Sequence, residues 1–178
     1  MDFTTALKFA HVLAAVLWVG GGFTTILAGI LLARRATAQN QLVILQAVTL
    51  LAPRIFIPAS VFTLASGVTL LFAAGWGWQP FTTLGLAGVL FTATFGAVVL
   101  GPSCERALKL ADTHGAESAI PSLRRVQRLA MMDYAVQFAI VFLMVVKPGW
   151  QDVSVFTGLA VVIALAAAAA LLPKPRLA

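Results

Sequence analysis

Charge is what this sequence has least of. Asp, Glu, Lys and Arg make up only 10% of its 178 residues, where a soluble domain carries about 25%. A soluble fold is excluded on that ground alone. Cys104 is the only cysteine, which rules out an internal disulfide and a thiolate metal cluster. There is no HExxH, no CxxC, no histidine pair at helical spacing and no glycine-rich phosphate loop, so hydrolase and nucleotide chemistry are poor readings. His11 and His114 are the only histidines, and His114 falls in a polar loop. A bis-histidine site of the common b-type cytochrome kind therefore has no second ligand. No internal repeat supports an inverted-repeat transporter.

What the sequence does have is apolar length: 61% of it is hydrophobic. Five runs, at about 9–33, 55–76, 81–100, 129–146 and 153–172, approach the roughly 20 residues that cross a bilayer. Each is expected to be a helix, because an open strand in lipid leaves backbone groups unpaired. The chain reads as one transmembrane domain over 1–178. The first run lacks a basic n-region and exceeds a signal h-region of about 7–15 residues, so it is expected to be retained. The net charge of +6 reflects basic loops rather than a nucleic-acid surface. Arg34, Arg35 and Arg54 lie in the 34–54 loop, Arg106, Lys109, Arg124, Arg125 and Arg128 in or beside the 103–128 loop, and Lys174 and Arg176 in the tail. The positive-inside rule makes those loops and the C-terminus cytoplasmic and puts the N-terminus outside. Trp76, Trp78 and Trp150 gather on the outer face as an aromatic belt would.

Residues 39–52 read either as an interfacial helix or as an inward extension of span two, with a kink expected at Ala52 before Pro53. Spans three and four are expected to extend beyond the bilayer, with Pro121 starting the fourth helix. Span five has no ionisable residue and no polar stripe. It reads as peripheral, facing lipid or a second copy in a homo-oligomer. The fold class is then all-α: a four-helix transmembrane bundle plus a fifth peripheral transmembrane helix. Gly21, Thr25 and Gly29, and Gly88, Thr92 and Gly96, form small-residue rows suited to helix packing.

Two polar stripes stand out. His11, Ala15, Trp18, Gly22, Thr25 and Gly29 share one face of span one; Asp133, Gln137, Ile140, Met144 and Lys147 share one face of span four. Polar groups at that depth face a bundle interior. If spans one and four are neighbours, His11 and Met144 meet near the outer edge, and His with Met is an axial pair for haem iron. His11 with Lys147 is a second pairing. The plainer readings are a histidine bonded to a carbonyl, a methionine filling the core, and Lys8 and Lys147 as snorkelling anchors. Trp18 is too deep for the belt and suits packing against a ring or a neighbouring helix. Gly22 leaves room for a flat cofactor. Arg54 and Asp133 are expected to form a structural pair, with Tyr134 beside it.

The run His11–Gly22, HVLAAVLWVGGG, resembles the first helix of a loose group of bacterial membrane proteins. The group includes CopD-like copper-resistance proteins, HemJ-type protoporphyrinogen oxidases and a family of predicted integral membrane proteins of unknown function. The stretch FLMVVKP, Phe142–Pro148, is similar to the last of these. The HemJ-type resemblance implies haem b, oxidation of a porphyrinogen, and His11 as the matching histidine. The CopD-like resemblance implies copper handling, with His11 and Met144 as metal ligands. The combined expectation is a bacterial inner-membrane protein that binds haem or a related porphyrin at His11, Met144, Lys147, Trp18 and Gly22. Its role would be redox or porphyrin metabolism. The alternative is a non-enzymatic protein that handles copper or another metal, or a structural protein without cofactor.

Overall fold

The computed structural model describes residues 2–33 and 37–172. They are mostly helical, with five helices long and apolar enough to span a membrane. These are α1 (Phe3–Leu32), α2 (Ala38–Ala73), α3 (Pro80–His114), α4 (Ala116–Val146) and α5 (Val153–Leu171). The end of α1, the start of α2 and the α3–α4 connection lie at one end, here the basal end. The α2–α3 and α4–α5 connections lie at the other, the apical end. Arg34, Arg35, Lys174 and Arg176 fall outside the described residues.

Local chemistry sets the boundaries. Asp2 caps α1 by accepting from the Thr5 amide at 2.6 Å, which satisfies an amide the first turn leaves open. Thr37 caps α2 in the same way through Asn40. Gly115, at φ 86°, breaks the chain between α3 and α4, because that backbone is strained for any residue with a Cβ. Pro121 does not start α4 as expected; it lies inside a helix that begins at Ala116. Glycine makes the break, and the proline forfeits one backbone bond close to a helix start. Lys147 ends α4 in the left-handed conformation at φ 51°, immediately before Pro148.

The helices outrun the expected spans. At about 1.5 Å per residue, the 36 residues of α2 and the 35 of α3 reach about 54 and 52 Å, against about 30 Å of hydrocarbon. Residues 38–52 are thus continuous with span two, extending α2 at its basal end, rather than a separate helix. Hydropathy locates only the apolar part of a helix; the extension of spans three and four beyond it, expected over 103–128, is present in α3 and α4. α1, α2 and α3 each contain one wider π-turn, at Val16–Gly20, Ala52–Phe56 and Gly96–Leu100. The second holds Pro53, whose missing N–H such a turn accommodates. It stands where a kink was expected.

The two ends are built differently. The basal end has a close-packed core of Leu42, Leu45, Cys104, Ala107, Leu123 and Val126, from α2, α3 and α4. In the apical half, α1 packs on α2, and α3 packs on α4. α1 meets α4 closely only from its π-turn downward. α5 packs along α4, and its apolar side chains Val161, Val162 and Leu165 are exposed. A Cβ at Gly29 would stand 3.3 Å from Gln127 Nε2 and 3.4 Å from Ile44 Cγ2, so this part of the glycine row serves helix packing. At Gly96, by contrast, a Cβ would meet nothing.

Candidate functional site

Where the apical halves of the helix pairs part, they enclose a cavity of about 410 Å³. That is within the range of about 300–1,000 Å³ typical of small-molecule sites. His11, Trp18 and Val19 line it from α1, Gly67 from α2, and Gln137 and Met144 from α4. The walls are largely apolar, with the imidazole and the Gln137 amide among few polar groups.

His11 is held from behind. Its Nδ1 lies 2.9 Å from Ser66 Oγ on α2. That hydroxyl has one proton and two backbone acceptors, the Phe62 carbonyl at 2.6 Å and the Thr63 carbonyl at 3.2 Å. The shortest contact takes the proton, so Ser66 accepts from Nδ1–H and Nε2 keeps its lone pair. Gly67 makes room for the ring: a Cβ there would stand 3.1 Å from His11 Cε1. A donor oriented by a hydrogen bond on its other nitrogen is the usual arrangement of a ligating histidine.

Met144 approaches from the opposite wall. Its methyl packs so closely on Gly85 of α3 that a Cβ there would overlap it. His11 and Met144 therefore line one cavity, but from the α1–α2 side and the α3–α4 side respectively. The apical halves of α1 and α4 are not the close neighbours that a direct His–Met meeting assumes.

Lys147 and Gly22 do not line the cavity. The Lys147 ammonium lies 5.0 Å from the centre of the Trp76 ring, and the Lys8 ammonium 5.5 Å from it. Trp76, which does line the cavity, thus carries two cations at the apical rim. Gly22 leaves space, but for the Tyr134 hydroxyl, which presses on it. Tyr134 continues into an aromatic cluster with Phe23 and Phe138.

The structure does not bring Arg54 to Asp133. Arg54 is exposed and donates to the Leu50 carbonyl of its own helix at 2.9 Å. Asp133 is 4% exposed and accepts from Gln137 Nε2 at 2.7 Å. Its other oxygen, and Oε1 of Gln137, have no partner among the described residues. Proximity along the membrane normal suggested the pair; Arg54 instead sits at a π-turn that directs it back along α2. His114 lies at the basal end beside Thr113, remote from the cavity.

Ser66, Gly67, Gly85 and the placement of Trp76 escaped the sequence reading. The adjacent Ser66-Gly67 in an apolar span was the available signal, since small residues mark close helix approach. Among the described residues there is no group of three His, Cys, Asp or Glu side chains fit for a metal ion. No curated protein and no solved structure matches this chain. A family model does match over residues 5–148, which takes in α1 to α4 and both walls of the cavity. The chain belongs to that family, the predicted integral membrane proteins DUF2269.

Proposed function

We propose that this is a bacterial inner-membrane protein that binds haem b or a related porphyrin in the apical cavity, with a redox or porphyrin-metabolism role. The observation that carries the reading is His11: a single imidazole, oriented by Ser66, on the wall of a largely apolar cavity. Bound haem would supply one-electron chemistry. The chain's own residues would hold it. His11 Nε2 would be the first iron ligand, and the Met144 thioether is the candidate for the second. Trp18 and Val89 offer flat apolar packing, and Lys8 and Lys147 supply cations at the rim for a porphyrin's carboxylates. The resemblance of His11–Gly22 to the HemJ-type first helix points to the same chemistry and to an oxidoreductase. In this reading α1 to α4 form the binding bundle and α5 lies outside it. The basal end, with Arg106, Lys109, Arg124, Arg125 and Arg128, is cytoplasmic. The N-terminus is then outside.

The second reading is copper handling of the CopD-like kind. The thioether of Met144 and the imidazole of His11 line the same cavity, and thioethers favour Cu(I).

An absorption spectrum of the detergent-purified protein, oxidised and then reduced, tests the first reading beside a His11→Ala variant. A Soret band that weakens in the variant is expected. No band after expression with ample haem supply would overturn it. A colourless protein that binds copper through His11 and Met144 would support the second.

A further inference from the structure

A second concavity lies at the basal side, between α1, α4 and α5. It measures about 1220 Å³ and is independent of the haem reading. Its basal end carries Arg124 and Arg128, with Gln127 between them. Neither arginine has an ion-pair partner among the described residues, and Arg128 Nε is buried without any hydrogen bond. The described lining contains no acidic side chain. Above the arginines the walls turn apolar, through Met131, Phe138, Leu159 and Val162.

Depth fits the chemistry. Counting down α4 from Val146 at about 1.5 Å per residue, Arg128 lies about 27 Å below the apical end. That is close to the full hydrocarbon thickness of about 30 Å. The rise from Arg128 to Phe138 is about 15 Å, the depth of one leaflet's hydrocarbon. The groove thus runs from the headgroup boundary to mid-bilayer, cationic at the first and apolar along the rest.

We infer that this groove binds an anionic phospholipid, with its phosphate on Arg124 and Arg128 and an acyl chain along α4 and α5. A guanidinium pair matches phosphate oxygens in number and geometry, and basic pockets between transmembrane helices suit anionic headgroups. A zwitterionic lipid would bring a cation to a site that has no carboxylate to receive it. A free phosphate would leave the apolar wall unused. A second copy's α5 would cover the wall but has no acidic side chain to bring to the two arginines.

The test uses the full chain in detergent. Phosphatidylglycerol, phosphatidylcholine and glycerol phosphate are each titrated, with binding read by native mass spectrometry and by melting temperature. Phosphatidylglycerol should bind and raise the melting temperature, while the other two do neither. The double variant Arg124→Gln/Arg128→Gln should weaken its binding by about tenfold or more. Arg125→Gln, an exposed neighbour outside the groove, should leave it unchanged. Ala166→Phe, which fills the apolar part with both arginines intact, should also weaken it and serves if the arginine variant does not fold. Equal binding of phosphatidylcholine, equal binding of glycerol phosphate, or undiminished binding in the variants would overturn the inference. So would a lipid-free dimer that buries the groove.

Discussion

Ser66→Ala is the most informative substitution in the apical site. It removes one hydroxyl and nothing else near the cavity. The lost interaction is the 2.9 Å bond to His11 Nδ1; the contacts to the Phe62 and Thr63 carbonyls are local to α2. A side-chain hydrogen bond between transmembrane helices contributes about 0.6 kcal/mol on average and at most about 2. Fold stability should therefore fall by only about 1 kcal/mol. Ligand binding should fall far more, because Nδ1 is released, and with it the tautomer and ring angle that present Nε2. Loss of such a supporting bond costs about 10- to 100-fold in affinity for a bound metal centre, or about 1.4–2.8 kcal/mol. Gly67→Ala reaches the same ring from the next position of α2. Its Cβ would stand 3.1 Å from His11 Cε1, so the imidazole must shift by a few tenths of an ångström. Haemin titration followed at the Soret band, beside thermal melting of each variant, separates the two effects. Both variants should keep most of their stability and lose affinity. Unchanged affinity in Ser66→Ala, with His11→Ala abolishing binding, would refute the orienting role. A loss of melting temperature as large as the loss of affinity would make the bond merely structural.

Three further outcomes are expected. Asp133→Asn should raise stability by about 1–2 kcal/mol in a denaturation titration, because it removes a buried carboxylate oxygen that lacks a partner and supplies N–H groups near Gln137 Oε1; a fall would mean the carboxylate itself is required. Arg54→Gln should change stability by no more than about 0.5 kcal/mol, since the side chain is exposed and bonds only its own helix; breaking a buried ion pair would cost about 3–5 kcal/mol, and a loss of that size would restore the pairing with Asp133. The amide of Thr5 holds the Asp2 carboxyl below its usual value of 3.8, so the cap is complete above that pH and is lost as pH falls through the lower folded value; the protection of the Thr5 amide from hydrogen exchange, measured against its intrinsic rate at each pH, should fall only in that acid window, and a loss of protection near neutral pH would refute the assignment.

Five spans were legible because lipid imposes a minimum apolar length, and each of the five runs meets it. The burial of Asp133 and Gln137 was legible too, since a polar stripe on an apolar helix has nowhere to go but inward. Trp18, His11 and Met144 were marked by the same rule, and all three line the cavity. What held the imidazole was not legible. A serine in a membrane helix ordinarily bonds its own backbone, as Ser60 does with Ile57, so the Ser66-Gly67 pair could mark a close helix approach but not that Ser66 serves the histidine of a second helix. Gly22 looked like room for a cofactor because a sequence shows only the absence of a side chain, not which neighbour fills the space. The neighbour is Tyr134. The basal helices were legible as extensions of spans three and four, but not in their full length. Residues 103–128 have the mixed, amphipathic composition of a soluble helix pair, and that pattern is silent to a search for hydrocarbon-spanning runs.

The basal core and the apical cavity are parts of the same helices in two different solvents. Around Leu42, Ala107 and Leu123 the competing environment is water, so removing apolar surface from it drives association. Around Trp18 and Val89 the competing environment is lipid, which is as apolar as the side chains themselves, and close packing must do the holding. The two ends should therefore answer to different denaturants. Urea, which solvates apolar and peptide groups exposed to water, should open the α3–α4 hairpin at its basal end first. A change of lipid or detergent should loosen the apical end, where the cavity already leaves packing incomplete, while the basal core persists.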